Sequence, residues 1–225
     1  AELEKQGVKA VSSEGEICDK CKYVFLAIKP QVFDSVLPKL ADHVKEDTVI
    51  VSIAAGITEE YIMKTTKDKV HTVIVMPNTP FLLGEGATAL AKGTYTTDEE
   101  FEVVKSIFST GGIAEVVPMD KMKEIIAING SSPAFIYLYA KGFIDYAKEN
   151  GIDGDAALRL FAKSLIGSAK MMTESGKTID ELIKMVSSPG GTTLAGLDGL
   201  YQGKLTDVVK DCCERCTKRA YELSK

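Results

Sequence analysis

Three largely apolar runs constrain this chain most: Tyr23-Val24-Phe25-Leu26-Ala27-Ile28, Thr48-Val49-Ile50-Val51-Ser52-Ile53 and Val70-His71-Thr72-Val73-Ile74-Val75. Runs of this length, rich in β-branched residues, suit strands buried on both faces of a parallel sheet. Helical patterns separate them. Val32, Phe33, Val36, Leu37, Leu40 and Val44 recur at roughly helical spacing, and Pro38 is expected to kink or break that helix. Thr58 is placed to cap a helix holding Tyr61, Ile62 and Met63. Thr97 caps another that runs to about Thr110, where Gly111-Gly112 ends it. Val8–Val11, Ala87–Ala91 and Ala114–Val117 read as further short strands. Ser12–Lys22 is polar with a short helix, and Ala1–Gln6 reads as the end of a helix stopped at Gly7. Strand and helix thus alternate from residue 8 to about 118, the pattern of an open parallel α/β sheet.

After Pro118 no strand-like run remains. Met119–Asn150 is a long apolar helical stretch interrupted by Gly130-Ser131-Ser132-Pro133, and Asp155–Ser175 is a second helix. A short helix to Val186, one to about Gln202 and a last one over Thr206–Leu223 complete the chain. The fold class is α/β, a sheet domain over 1–118 followed by an all-helical domain over 119–225. With Tyr137, Tyr139, Phe143, Met171 and Met172 close together, the second part is too apolar for a lone small helical domain. Helix pairing with a second copy is expected.

The net charge of −5 argues against a nucleic-acid surface. No apolar run reaches the ~20 residues that span a membrane, and no signal peptide opens the sequence, so the expected setting is cytoplasmic. Five cysteines include two CxxC pairs, Cys18/Cys21 and Cys213/Cys216, which could be written as a four-thiolate zinc site. Cys212 and Cys216, however, share a face of the last helix, where reduced cysteine serves as a small hydrophobe. No metal site is expected, and His43 and His71 alone give little material for a histidine-centred one.

The stretch Ser187-Ser188-Pro189-Gly190-Gly191-Thr192-Thr193 sits between two apolar helical runs. Pro189 disfavours helix at Ser188, and the glycines let the backbone turn sharply with its N–H groups exposed. Thr192 or Thr193 is expected to cap the following helix, whose free N–H groups and positive dipole end favour an anion such as a small carboxylate. An ordinary helix–turn–helix corner with a threonine cap is the alternative. The strand-end segments Ala27-Ile28-Lys29-Pro30, Ser52-Ile53-Ala54-Ala55-Gly56 and Met76-Pro77-Asn78-Thr79-Pro80 use small, kinked or polar residues, which lets a flat ring approach the backbone.

Met76–Pro80, Gly130-Ser131-Ser132-Pro133-Ala134-Phe135 and Ser187–Thr193, in this order and with the two earlier strand ends, resemble pyrroline-5-carboxylate reductase over essentially the whole chain. The resemblance implies reduction of 1-pyrroline-5-carboxylate, a cyclic imino acid, to L-proline with NADPH or NADH. It also implies a Rossmann domain, and a helical domain that interlocks two subunits, with dimers that often gather into decamers. By the same resemblance Ile28, Lys29, Pro30, Ala54 and Ala55 line the nicotinamide half of the cofactor site, with Asn78 at the same sheet edge. Ser188, Gly190, Gly191, Thr192 and Thr193 hold the substrate carboxylate and ring. Thr193 matches the threonine whose hydroxyl lies near the imine nitrogen and is the expected catalytic residue.

The chain departs from the family pattern in places. The Gly-x-Gly-x-x-Gly phosphate loop has no match here, so the sheet domain is read as incomplete and the activity of this stretch alone is left open. Ile74 stands where arginine is common, Glu14 where asparagine is, and Asn129 where serine usually precedes Gly130. Two rival readings stay open. One is a β-hydroxyacid dehydrogenase, with Lys141 in the long helix as acid and base, although the asparagine that usually follows is absent. The other is a non-catalytic dimerisation module.

Overall fold

The computed structural model describes residues 2–224, so Ala1 lies outside the described residues. Five strands form one sheet in the order β1-β2-β3-β4-β5: β1 Tyr23–Leu26, β2 Val49–Ser52, β3 His71–Met76, β4 Gly86–Lys92 and β5 Gly112–Val116. The apolar runs therefore do form adjacent strands. β1, β2 and β3 are parallel, and β4 is parallel to β5, but β3 and β4 are antiparallel. The all-parallel expectation is corrected at this one ladder. The link from β3 to β4, residues 77–85, holds only a 3₁₀ turn over Thr79–Leu83. A parallel partner would need a crossover of a dozen residues or more. Val8–Val11, expected as a strand, is irregular; it has no ladder partner among the described residues, and Val8 is exposed. Leu3–Gln6 is a single 3₁₀ turn, ended by Gly7 at φ 83°.

Helix α1 Glu14–Lys20 precedes β1, while α2 Phe33–Ala41, α3 Glu59–Thr65 and α4 Asp98–Ser109 connect β1 to β2, β2 to β3 and β4 to β5. Thr58 caps α3 by accepting the Tyr61 N–H at 3.1 Å, and Thr97 with Glu100 forms a capping box on α4. α2 continues through Pro38 instead of breaking there. Both sheet faces are buried. Val24, Leu26, Ile50 and Ile74 pack with Phe33, Leu37, Leu40 and Ile62 on one side. Val49, Val51, Val73, Val75 and Leu90 pack with Phe101, Val104 and Phe108 on the other.

Beyond Pro118 come a 3₁₀ turn Met119–Lys121, a π-helical turn Ile126–Gly130, and helices α5 Ser132–Glu149, α6 Gly154–Glu174, α7 Ile179–Met185, α8 Thr192–Gln202 and α9 Leu205–Leu223. The described residues form two compact units. One is built on the segment to Pro133 together with Cys213 onward, and the other is Ala134–Cys212. The change of sequence character at Pro118 and the break between units do not coincide. Met122 and Ile126 from the turns, and Ala220 from α9, are buried in the core of the sheet unit. In the helical unit Ala147 is the one buried residue among those described. Its chief aromatic contact is Phe143 stacked on Phe161, with centroids 4.3 Å apart, and Tyr139 set edge-on to Phe143. Leu138, Leu160, Tyr137 and Tyr146 on α5 and α6 stand mostly exposed.

Candidate functional site

In the sheet unit, pairing aligns Leu26 with Ser52 and Ser52 with Ile74. The segments leaving β1 and β2, Ile28-Lys29-Pro30 and Ala54-Ala55, therefore start at the same level of the sheet, at the strand ends where open α/β sheets in general bind ligands. Ile28 and Pro30 are half-buried, Ala54 is buried, and Lys29 and Ala55 are exposed. The Lys29 ammonium forms no ion pair among the described residues. Small apolar side chains beside an uncommitted cation fit a nicotinamide nucleotide, whose ring needs a flat apolar floor and whose phosphates need positive charge. Ala54 also borders a cavity of about 350 Å³ lined by Ile74, Met76, Met119 and Met122 and by the charged Glu60, Asp120 and Lys123. The other residues expected to hold cofactor do not line that cavity.

Asn78 stands at the same edge, but its side chain is engaged internally. Its Nδ2 donates to the Asn129 carbonyl at 3.2 Å, and its Oδ1 accepts the Ala87 N–H at 2.9 Å. Asn129 answers from the π-helical turn, donating through Nδ2 to the carbonyls of Met76 at 2.7 Å and Ala87 at 3.0 Å. The pair ties the end of β3, the start of β4 and the turn before α5 into one network. Gly130 belongs to the same packing: a Cβ there would meet the Met76 sulfur at 3.1 Å. Sequence patterns showed Asn129 only as a departure from a serine, because partners 51 and 53 residues apart leave no periodic trace. Glu14, the other polar departure, opens α1. Its carboxylate accepts from Lys39 at 2.8 Å, and that bond holds its pKa below the usual range.

In the helical unit, Ser188-Pro189-Gly190-Gly191 closes a tight turn, with the Gly191 N–H donating to the Ser188 carbonyl at 3.0 Å. Pro189 sits second and Gly190 third with φ 69°, the positions at which a type II turn takes proline and a left-handed glycine. The expected threonine cap is corrected: Gly191 is the N-cap of α8, with no side-chain cap bond, and Thr192 and Thr193 are the first two helical residues. A Cβ on Gly191 would lie 3.0 Å from the Ser188 carbonyl, so the turn is tight at that residue as well. Among the described residues no side chain caps the first N–H groups of α8, the arrangement that receives an anion at a helix start. Ser188, Gly190, Thr192 and Thr193 are exposed and Gly191 half-buried. These five lie in the helical unit, and the six strand-end residues in the sheet unit.

Lys141 is bonded to Asp145 one turn along the exposed face of α5. Cys212, Cys213 and Cys216 lie on α9 as the helical pattern indicated, and the Cys216 thiol approaches the Ser131 hydroxyl at 3.4 Å. Among the described residues no helix is long and apolar enough to cross a membrane.

Residues 119–223 match the family model described as pyrroline-5-carboxylate reductase dimerisation, and residues 1–56 match NADP oxidoreductase coenzyme F420-dependent. Pyrroline-5-carboxylate reductase 3 of Danio rerio is 31% identical over 98% of this chain and 77% of its own length. Pyrroline-5-carboxylate reductase of Escherichia coli K12 is 31% identical over 97% of this chain and 81% of its own. The enzyme of Methanosarcina acetivorans is 33% identical over 98% and 82%. The crystal structure of Plasmodium falciparum pyrroline carboxylate reductase with NADP bound superposes with a TM-score of 0.90 at 26% identity, covering 96% of this chain and 82% of that one. The Coxiella burnetii pyrroline-5-carboxylate reductase gives 0.90 at 29% identity, over 99% and 83%. With such identity across nearly its whole length, the chain belongs to the pyrroline-5-carboxylate reductase family.

Proposed function

We propose that this protein reduces the C=N bond of 1-pyrroline-5-carboxylate to give L-proline, with NADPH or NADH as reductant, in the last step of proline biosynthesis. The observation that carries the reading is the glycine turn at Ser188–Gly191, which opens a helix whose N-terminus has no side-chain cap. A helix start of that kind takes a carboxylate on backbone N–H groups. The substrate is a small cyclic imine bearing one carboxylate.

When bound, the reduced nicotinamide supplies the hydride. The chain's own residues supply position and charge. Ile28, Pro30, Ala54 and Ala55 form the floor for the ring, and the Lys29 ammonium offers charge to the nucleotide's phosphates. Asn78 keeps the edge in shape through its bonds to Asn129 and Ala87. Ser188, Gly190, Gly191 and Thr192 hold the carboxylate and ring of the substrate. The Thr193 hydroxyl orients the imine nitrogen, which is basic enough to arrive protonated, so no strong general acid is demanded.

The protein acts as a homodimer through its helical segment, in keeping with the dimerisation family model over 119–223. Gathering of dimers into decamers and a cytoplasmic setting are the finer parts of the same reading. The β-hydroxyacid alternative needs a lysine at the substrate; Lys141 stands on the exposed face of α5 beside Asp145.

Cofactor oxidation on addition of 1-pyrroline-5-carboxylate, against a panel of β-hydroxyacids with the oxidised cofactor, separates the two enzymes. Turnover of the imine alone is the expected result. Turnover of a hydroxyacid alone would replace this reading with the rival. Equilibrium binding of NADPH separates both from a dimerisation module, which would show none.

A further inference from the structure

We infer that Asn129 is a positioning residue for hydride transfer, acting through the strand-end backbone beneath the nicotinamide. The inference rests on the reductase reading above and goes beyond it by adding a residue that touches neither substrate nor cofactor. Asn129 lies in a π-helical turn, a rare element found often at functional sites. Asn129 is 8% exposed. Both Nδ2 hydrogens are used across the mouth of the β3–β4 ladder, one on Met76 and one on Ala87. Asn78 closes the same gap from the other side, on the carbonyl of Asn129 and the N–H of Ala87. Ala87 is thus gripped at both its N–H and its carbonyl.

The consequence is mechanical. β3 and β4 pair only from Met76↔Ala89 inward, so beyond Met76 the backbone has no ladder to hold it. The two asparagines replace the missing ladder bonds and fix the exit of β3 level with Ala54 and Ile28. Hydride transfer depends steeply on distance, and a displacement of about 1 Å costs on the order of a hundredfold. Asn129 Oδ1 is buried without a hydrogen-bond partner, so the side chain carries an unpaired acceptor while both its donors are spent on the strand ends.

The test compares the purified protein with Asn129→Ala, Asn129→Ser and Asn78→Ala. Amide hydrogen exchange followed by mass spectrometry should show faster exchange in Asn129→Ala over residues 76–88 and 126–131, with α4 and β2 unchanged. Unchanged exchange at those segments, or a loss of protection spread evenly over the sheet unit, would overturn the clasp. In steady state kcat should fall about tenfold in Asn129→Ala with KM for the cofactor within about twofold, because Lys29, the residue assigned to the phosphates, makes no bond to Asn129. The primary isotope effect on kcat with cofactor deuterated at the transferring position should rise towards, or stay at, its intrinsic value, since the hydride step has become more rate-limiting. A kcat that is unchanged once normalised to the folded fraction, measured by near-ultraviolet circular dichroism, would sink the positioning role. Asn129→Ser keeps one donor and should fall between the two, which secures the comparison if the alanine variant folds poorly. Asn78→Ala combined with Asn129→Ala should cost little more than the worse single variant. Absence of wild-type turnover would count against the reductase reading, and the exchange data would still decide the clasp.

Discussion

At the residue scale, two glycines and a threonine, Gly190, Gly191 and Thr193, shape the turn that opens α8. Gly190 holds φ 69°, a conformation that costs an L residue about 1–2 kcal/mol. If that cost falls on the bound turn, Gly190→Ala should raise KM for 1-pyrroline-5-carboxylate by roughly five- to thirtyfold while leaving KM for the cofactor alone. Steady-state kinetics with each substrate varied in turn checks this, and equal changes in both constants would contradict it. Thr193→Ala should lower kcat/KM by about ten- to a hundredfold, as loss of one positioning hydrogen bond would. Unchanged kinetics would remove Thr193 from the site. The turn itself was legible, because Pro-Gly-Gly is a local signal. The cap was not: threonine and glycine both serve at N-caps, and only backbone geometry told that Gly191 holds the position. Asn129 was illegible for a different reason, since its partners Met76 and Ala87 are distant in sequence and meet only after the sheet forms.

At the scale of the element, α4 is anchored to the sheet by a buried carboxylate. Glu100, 4% exposed, accepts from the Thr97 N–H at 3.0 Å, approaches His71 Nδ1 at 2.6 Å and pairs with Lys22 at 2.9 Å. Burial works against its ionisation, but the Lys22, Thr97 and His71 contacts outweigh burial and set its pKa below the ordinary glutamate value. A carboxyl depressed in the folded state stabilises the fold above its unfolded pKa of about 4.3, and that contribution is lost as pH falls through the folded value. Glu100→Gln should therefore cost about 1–3 kcal/mol at neutral pH and flatten the fall in stability below about pH 5. Urea titrations of both proteins from neutral to acid pH measure the difference, and parallel curves would contradict the assignment. The elements were largely visible in the sequence because buried strands and capped helices carry local patterns. Strand direction was not written in the runs. It was readable instead in the β3–β4 connection over residues 77–85, which is too short for a crossover. Val8–Val11 shows the converse: a strand-like composition that is irregular and has no ladder partner among the described residues.

For the whole molecule, the two units differ in kind. The sheet unit buries apolar side chains on both faces, whereas the helical unit, residues 134–212, has a single buried residue among those described. Helices that leave Leu138 71% and Leu160 70% exposed need a partner surface. The apolar character of this half was legible in the sequence, but its division from the sheet unit was not, since Met122, Ile126 and Ala220 look like any helical apolar residues until they enter the sheet core. Sedimentation velocity should find a dimer or a larger multiple of it. Leu138→Glu should weaken association by about tenfold or more, as a charge placed in an apolar interface would. A wild-type protein that stays monomeric at every accessible concentration would contradict the pairing. Imine reduction to proline is checked by following the hydride. The protein is incubated with 1-pyrroline-5-carboxylate and cofactor deuterated at the transferring position, and the amino-acid product is examined by mass spectrometry. The account predicts proline carrying one deuterium on the former imine carbon, formed in step with cofactor oxidation. Cofactor oxidised without labelled proline, or no oxidation at all, would contradict it.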